Sequence, residues 1–385
     1  NGVVHAVPGT LPAALRAAEA GRAVMVPRAN GLEASLSSAE VLLADSLLQV
    51  TAHLAGTACA DRLRQSRPQL TPCNAPDMSE VRGQPLARRA MEVAAAGGHN
   101  ILLMGPPGTG KSMLARRLPG ILPSMSEAEA LETAAIDSIL GRKLDLSLWR
   151  QRPFRAPHHT ASAAALVGGG SDPRPGEASR AHNGVLFLDE LPEFSRHVLE
   201  VLREPLESGA LTISRVGRQA EFPASFQLVA AMNPCPCGYL GDVVGDCRCS
   251  DDRVSQYRGR ISGPLLDRID ILVTVPRPPK DCLRPDAPAA EASAAIAARV
   301  ARARANQLER AGTCNARIPV KALEELCETD ADSWDLLERA VDRFALSARA
   351  HHRIRRVART IADLAGEDIV AAPHMAEALA LRQLF

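Results

Sequence analysis

The chain is 385 residues long, room for two or three domains with cores of their own. It is 46% hydrophobic and 23% charged, ordinary for a soluble globular protein, and its net charge of +1 gives no global argument for nucleic acid, so any such surface must be local. No apolar run approaches the roughly 18 residues of a membrane helix and no basic-then-apolar leader is visible. Nine cysteines then read as reduced thiols or a metal site in a cytoplasmic protein, not as a disulfide framework.

In chain order, residues 11–20 read as a helix, 23–26 and 41–43 as short buried strands, and 45–54 as a helix opened by Asp45 as N-cap. Residues 1–57 are thus an α/β piece. It opens on Asn1 rather than Met, as a trimmed sequence does. Residues 58–77, with Pro68, Pro72 and Pro76, read as a linker. From 78 to 280 strands and helices alternate as a parallel sheet requires, with apolar strands at 101–104, 185–188, 226–232 and 269–275. Runs 210–213 and 219–222 flank a hairpin tip carrying Arg215 and Arg218. After the break Pro276-Arg-Pro-Pro279 the rest, 281–385, is helical and rich in Ala, Leu and Arg. The fold class expected is α/β: a parallel-sheet phosphate-loop domain with a small C-terminal helical domain.

Gly105-Pro106-Pro107-Gly108-Thr109-Gly110-Lys111-Ser112 fits G-x-x-x-x-G-K-[ST] and stands between a strand and a helical pattern beginning at Met113. Its glycines let backbone N–H groups face phosphates, the helix N-terminus adds positive potential, Lys111 reaches the β and γ phosphates of ATP, and Ser112 ligates Mg²⁺. The apolar run 185–188 ends in Asp189 and Glu190. At the C-terminal end of a parallel strand both carboxylates reach the nucleotide crevice, Asp189 toward magnesium and Glu190 toward the attacking water. Capping of a following helix is the alternative use of such acids. Asn233 ends the next strand, placed to orient that water or merely to start the turn before Pro234. Arg268, at a strand's entrance, either pairs locally with Asp267 or Asp270 or crosses a subunit boundary as an arginine finger. Arg349, Arg353 and Arg356 share a helix face, from which one can meet a γ-phosphate. Cys235-Pro-Cys237 and Cys247-Arg-Cys249 offer four thiolates for a tetrahedral Zn²⁺ site, although the spacing departs from C-x₂-C and free thiols are the alternative. Two basic segments, the one around Arg152, Arg155, His158 and His159 and the hairpin tip, can follow a phosphate backbone or be plain surface loops. Adjacent His158 and His159 point apart and are not read as a metal site.

Together, Val81-Arg-Gly83-Gln84, the phosphate loop, Leu188-Asp-Glu190, Ala231-Met-Asn233-Pro-Cys-Pro-Cys-Gly and Ser262-Gly-Pro-Leu-Leu-Asp-Arg268-Ile-Asp270 resemble the magnesium-chelatase-like AAA+ ATPases of the YifB/ComM type. The resemblance runs from Asp77 to the C-terminus. It implies Walker A at Lys111 and Ser112, Walker B at Asp189 and Glu190, sensor 1 at Asn233, a trans-acting finger at Arg268 and sensor 2 at Arg349. Gly83 and Gln84 border the adenine by the same likeness. Segments 153–180 and 212–222 resemble the helix-2 insert and pre-sensor-1 hairpin that line the central pore in relatives. The activity implied is that of a hexameric ring translocating on single-stranded or branched DNA during recombination. Residues 1–57 resemble the end of a Lon-protease-like domain without its first part. No lysine precedes Lys111, so no Ser/Lys dyad can form and no peptidase is expected. The competing readings are a chelatase ATPase subunit and an ATP-dependent remodelling protein that does not touch DNA.

Overall fold

The structure is a computed structural model, described for residues 2–382 except 67, 70, 72, 171–172, 216–217, 285 and 287. Strands β1 (Val24–Pro27), β2 (Val41–Ala44) and β3 (Asp61–Leu63) form a small sheet in the order 1-2-3, parallel then antiparallel. β3 lies inside the stretch expected to be linker. The helix after β2 spans Leu47–Leu54, and its cap is Ser46, not Asp45: Ser46 Oγ accepts from the Gln49 N–H in a capping box. Asp45 is engaged by Arg28 instead. This N-terminal piece rests on the larger unit through the helix Thr10–Glu19, whose Leu11 packs with Ala134 and Trp149.

The central sheet joins β4 (Ile101–Met104), β5 (Phe154–Arg155), β8 (Val185–Leu188), β11 (Gln227–Met232) and β12 (Ile271–Thr274). Their spatial order is β12-β4-β11-β8-β5 and every pairing is parallel. Such a sheet is covered on both faces, which is why its strands are unbroken apolar runs. On one face Leu103, Phe187 and Val273 pack with the helices Pro85–Gly97, Ser293–Ala311 and Ala348–Ala365. On the other, Leu102, Leu186 and Leu228 meet Phe194, Leu199 and Leu265. Each fully buried aliphatic or aromatic side chain contributes about 1.5–3 kcal/mol.

Two hairpins leave this core. β6 (Gly168–Gly169) pairs with β7 (Arg174–Pro175), and β9 (Ala210–Arg215) with β10 (Arg218–Pro223), where Arg215 and Arg218 are Cα partners. They lie side by side, so close that a Cβ on Gly168 would stand 2.7 Å from Ile213 Cδ1. The tips, 171–172 and 216–217, and the side chains of Arg215 and Arg218 fall outside the described residues.

The C-terminal helices dock against the N-terminal end of the sheet. The buried Asp270 carboxylate pairs with Arg353 and accepts the Asn100 N–H at 2.9 Å, while Arg382 donates to the carbonyls of Ile269 (2.7 Å) and Asp270 (3.1 Å). Burial works to raise the Asp270 pKa, but Arg353 and His99 outweigh it and hold the carboxyl well below the usual range.

Candidate active site

The loop between β4 and the helix Lys111–Arg117 crosses the end of β12 so tightly that a Cβ on Gly105 would lie 2.1 Å from Val275 O. Gly108 and Gly110 take φ of 77° and 94°, the left-handed region that glycine enters without strain. The turn aims successive N–H groups outward at a helix N-terminus, a cradle for phosphate. Lys111 lies beneath it, 8% exposed, donating to the carbonyls of Gly105 (2.7 Å) and Pro106 (2.8 Å) and to Asn233 Oδ1 (3.2 Å). Burial lowers its pKa to about 8, against the pull of Asp189 and Glu190.

Ser112 Oγ donates to Asp189 Oδ2 at 2.5 Å. Residues 77 apart in sequence thus present a hydroxyl and a carboxylate oxygen to one point, a hard-donor pair of the kind magnesium takes. With the loop N–H groups and Lys111, this donor set fits a triphosphate with its magnesium. Glu190 follows in the left-handed conformation (φ 52°). Its N–H donates to Asp189 Oδ1 at 3.0 Å, and its half-exposed carboxylate stands 3.2 Å from His159 Nδ1. That contact was not legible in the sequence. The His158 and His159 rings, expected to point apart, instead lie with centroids 4.1 Å apart and planes tilted by 34°, and only the fold brings His159, 31 residues upstream, onto Glu190.

Gln84 and Gly83 sit at the start of the helix Pro85–Gly97. Gln84 Nε2 donates to Thr109 O (3.2 Å) and Pro276 O (2.5 Å), tying the loop to the exit of β12. Beside them a cleft of about 330 Å³ is lined by Gly83, Gln84, Cys282 and Pro288. Thr109 is buried, with its hydroxyl on Pro106 O at 3.0 Å, and Met113 is half-exposed on the first helical turn.

Arg268 and Arg349 lie elsewhere. The Arg268 carbonyl accepts from Asn100 Nδ2 at 2.9 Å, at the entrance of β4, whereas the phosphate loop leaves its other end. A four-residue strand separates the two by more than about 10 Å. The Arg268 guanidinium is buried, which lowers its pKa, and bonds Pro264 O (2.5 Å) and Glu207. Of its two expected acidic partners, Asp267 faces Arg349 at 3.9 Å and Asp270 holds Arg353. Of the three arginines on that helix face, Arg349 is exposed, while Arg353 is bound to Asp270 and Arg356 to Ile318 O at 2.7 Å.

The four cysteines converge. Cys235, Cys237, Cys247 and Cys249 place their sulfurs within 4.8 Å of one another, with separations of 3.4, 3.7 and 3.7 Å among the first three. A tetrahedral site with Zn–S bonds of about 2.3 Å has edges of about 3.8 Å. Backbone N–H groups of Tyr239 and Arg248 donate to the Cys237 sulfur, the outer-shell support that thiolate sites use. Among the described residues no helix is long and apolar enough to cross a membrane.

Two family models match this arrangement: magnesium chelatase, subunit ChlI, over residues 77–283, and the ChlI C-terminal domain over 290–382. The competence protein ComM of Haemophilus influenzae is 46% identical over 389 residues, covering 100% of this chain and 76% of that protein. YifB of Escherichia coli is 44% identical over 386 residues, with the same 100% and 76% coverage. The magnesium-chelatase 38 kDa subunit of Cereibacter sphaeroides is 27% identical over 225 residues, 53% of this chain and 59% of that one. A phosphate loop leaving β4, an interior strand of a five-stranded parallel sheet, a helical C-terminal region and similarity over the full chain lead to one assignment: the chain belongs to the YifB/ComM family of magnesium-chelatase-like AAA+ ATPases.

Proposed function

We propose that the chain is the subunit of a ring-forming, cytoplasmic ATP-hydrolysing motor that moves along single-stranded or branched DNA. The observation that carries this reading is the separation within one chain. Lys111, Ser112, Asp189, Glu190 and Asn233 share one end of the sheet, and Arg268 and Arg349 lie at the other. This separation supports a site completed by arginines from a neighbour, a head-to-tail contact that forms a ring when its rotation closes, here a hexamer by family likeness.

In this reading the loop from Gly105 to Met113 and Lys111 grip the triphosphate, Gly83 and Gln84 border the base, and Ser112 with Asp189 holds magnesium. Magnesium held there would offset the negative charge of the phosphates. Glu190 accepts the proton of the attacking water, which Asn233 helps to orient. Arg268 of the neighbouring copy, freed from Glu207, meets the charge that develops in transfer, a contribution of roughly three to five decades in rate. Arg349, exposed near Asp267, is the second arginine of that surface. The four cysteines hold zinc.

Two observations support DNA as the track. The relative of 46% identity carries the name competence protein, and the two hairpins that correspond to pore elements stand together. The second reading, an ATPase subunit of a magnesium chelatase, rests on the more distant match to the 38 kDa subunits. Turnover measured with and without forked DNA, alongside the oligomer mass, separates them. The motor reading expects turnover to rise severalfold with DNA in a ring-sized species. A magnesium-dependent ATPase indifferent to every DNA form would favour the chelatase reading.

A further inference from the structure

The four-cysteine knuckle, residues 235–249, begins two residues after Asn233, and its contacts are unusual for a peripheral metal site. Its first sulfur, on Cys235, is fully buried. Gly238, at φ 87°, lies against the phosphate loop so closely that a Cβ there would stand 2.7 Å from Pro107 Cδ and 3.7 Å from Asn233 Cγ. Its N–H donates to Cys235 O at 3.0 Å. Within the knuckle, a Cβ on Gly245 would meet the Tyr239 ring at 2.2 Å, so the turn is compact throughout. The far side is pinned as well. Asp242, its side chain 1% exposed, pairs with Arg277 at 2.9 Å, next to Pro276, whose carbonyl holds Gln84. Arg258 Nε donates to Pro234 O at 3.1 Å, and the Asn233 N–H donates to the Tyr257 phenol. The knuckle therefore touches the sensor asparagine, the phosphate loop and the segment leaving β12.

We propose that the Cys235/Cys237/Cys247/Cys249 centre is a zinc strut that positions Asn233 and Pro107 for hydrolysis. This inference rests on the zinc and ATPase readings above. A loop of this length has few apolar contacts of its own; Val243 and Val244 are 91% and 71% exposed. Four metal–sulfur bonds replace the core that it lacks, since metal binding in small modules is folding free energy. Asn233 is the positioning target: its amide is held between Lys111 on one side and the knuckle on the other. The phosphate cradle itself is built by β4 and the helix after it, so the strut acts on turnover more than on nucleotide affinity.

The test uses the full chain purified without chelators, with zinc by elemental mass spectrometry, nucleotide Kd by a fluorescent analogue, and kcat and KM in parallel. One zinc per chain is expected; a chain that neither carries nor takes up zinc overturns the metal reading alone. Absence of magnesium-dependent nucleotide binding in the parent overturns the ATPase reading alone. Chelator-stripped protein and Cys249→Ser are expected to lose at least tenfold in kcat with Kd changed less than threefold, and re-added zinc is expected to restore the stripped parent. Gly238→Ala changes none of the four ligands but strains the backbone at φ 87° and pushes on Pro107. It is expected to keep its zinc and still lose at least tenfold in kcat. Zinc-free protein and zinc-replete Gly238→Ala that both turn over at the parent's rate would overturn the strut.

Discussion

Lys111 is the side chain whose chemistry is most constrained by its surroundings in the phosphate loop. Its ammonium is satisfied by two loop carbonyls and Asn233, yet burial brings its pKa down to about 8. A triphosphate laid on the loop adds negative charge and raises that pKa again. A group whose pKa rises on binding contributes affinity that is fully present below the free-state value and lost above it. Nucleotide Kd is therefore expected to be flat from pH 7 to about 8 and then to weaken by up to about tenfold per pH unit, the limit for one proton. Titration of Kd between pH 7 and 9.5 checks this, and a flat profile to 9.5 would mean that Lys111 is charged without the ligand. At this scale much was legible in the sequence, because the motif prescribes local geometry. The Ser112–Asp189 contact was foreseeable from type and order alone, since both stand where parallel strands end. The His159 contact to Glu190 was not, because nothing in a pair of adjacent histidines says which acid the fold will bring to them.

Elements were legible where burial decides them. The runs Ile101–Met104 and Val185–Leu188 are strands because helices cover both faces of the sheet. Asp61–Leu63 was hidden, since an edge strand held by backbone pairing to β2 needs no apolar pattern. Equally hidden was the interface between sheet and helical region, where Asp270 receives Arg353, with Arg382 on the adjoining backbone. Here one carboxylate lies 3% exposed among cations, and Arg353 Nε has no partner. Removing one member of a buried pair strands the other, at a cost of about 3–5 kcal/mol. Arg353→Met is expected to lower the free energy of unfolding by that much, and Asp270→Asn, which keeps its hydrogen-bonding shape, by less. Loss under about 1 kcal/mol in a denaturant titration of Arg353→Met would show that the interface relaxes around the exposed side of the arginine.

In the proposed reading the residues that act on the nucleotide lie at two ends of the sheet, the phosphate loop at one and Arg268 at the other. Sequence spacing gave Arg268 a choice between a local acid and a neighbour's nucleotide. The chain's own geometry removes Asp267 and Asp270 as partners but supplies Glu207 instead. Glu207 is more than half exposed while the Arg268 guanidinium is buried, so Glu207 can turn to water but Arg268 leaves its place only when a second copy offers phosphate in exchange. This makes complementation the decisive measurement. Lys111→Ala disables the phosphate loop but keeps Arg268, the proposed finger; Arg268→Ala keeps the loop and lacks that arginine. Each alone is expected to form rings and to hydrolyse ATP poorly. Mixed in equal amounts, about one interface in four joins an intact loop to an intact arginine if subunits assemble at random around a closed ring. Turnover near a quarter of the parent's is then expected, provided that sites fire independently. A smaller recovery would report coupling around the ring. No recovery, with mixed rings demonstrated by mass, would mean that Arg268 serves its own chain, and the two-surface logic on which the ring was inferred would fail with it.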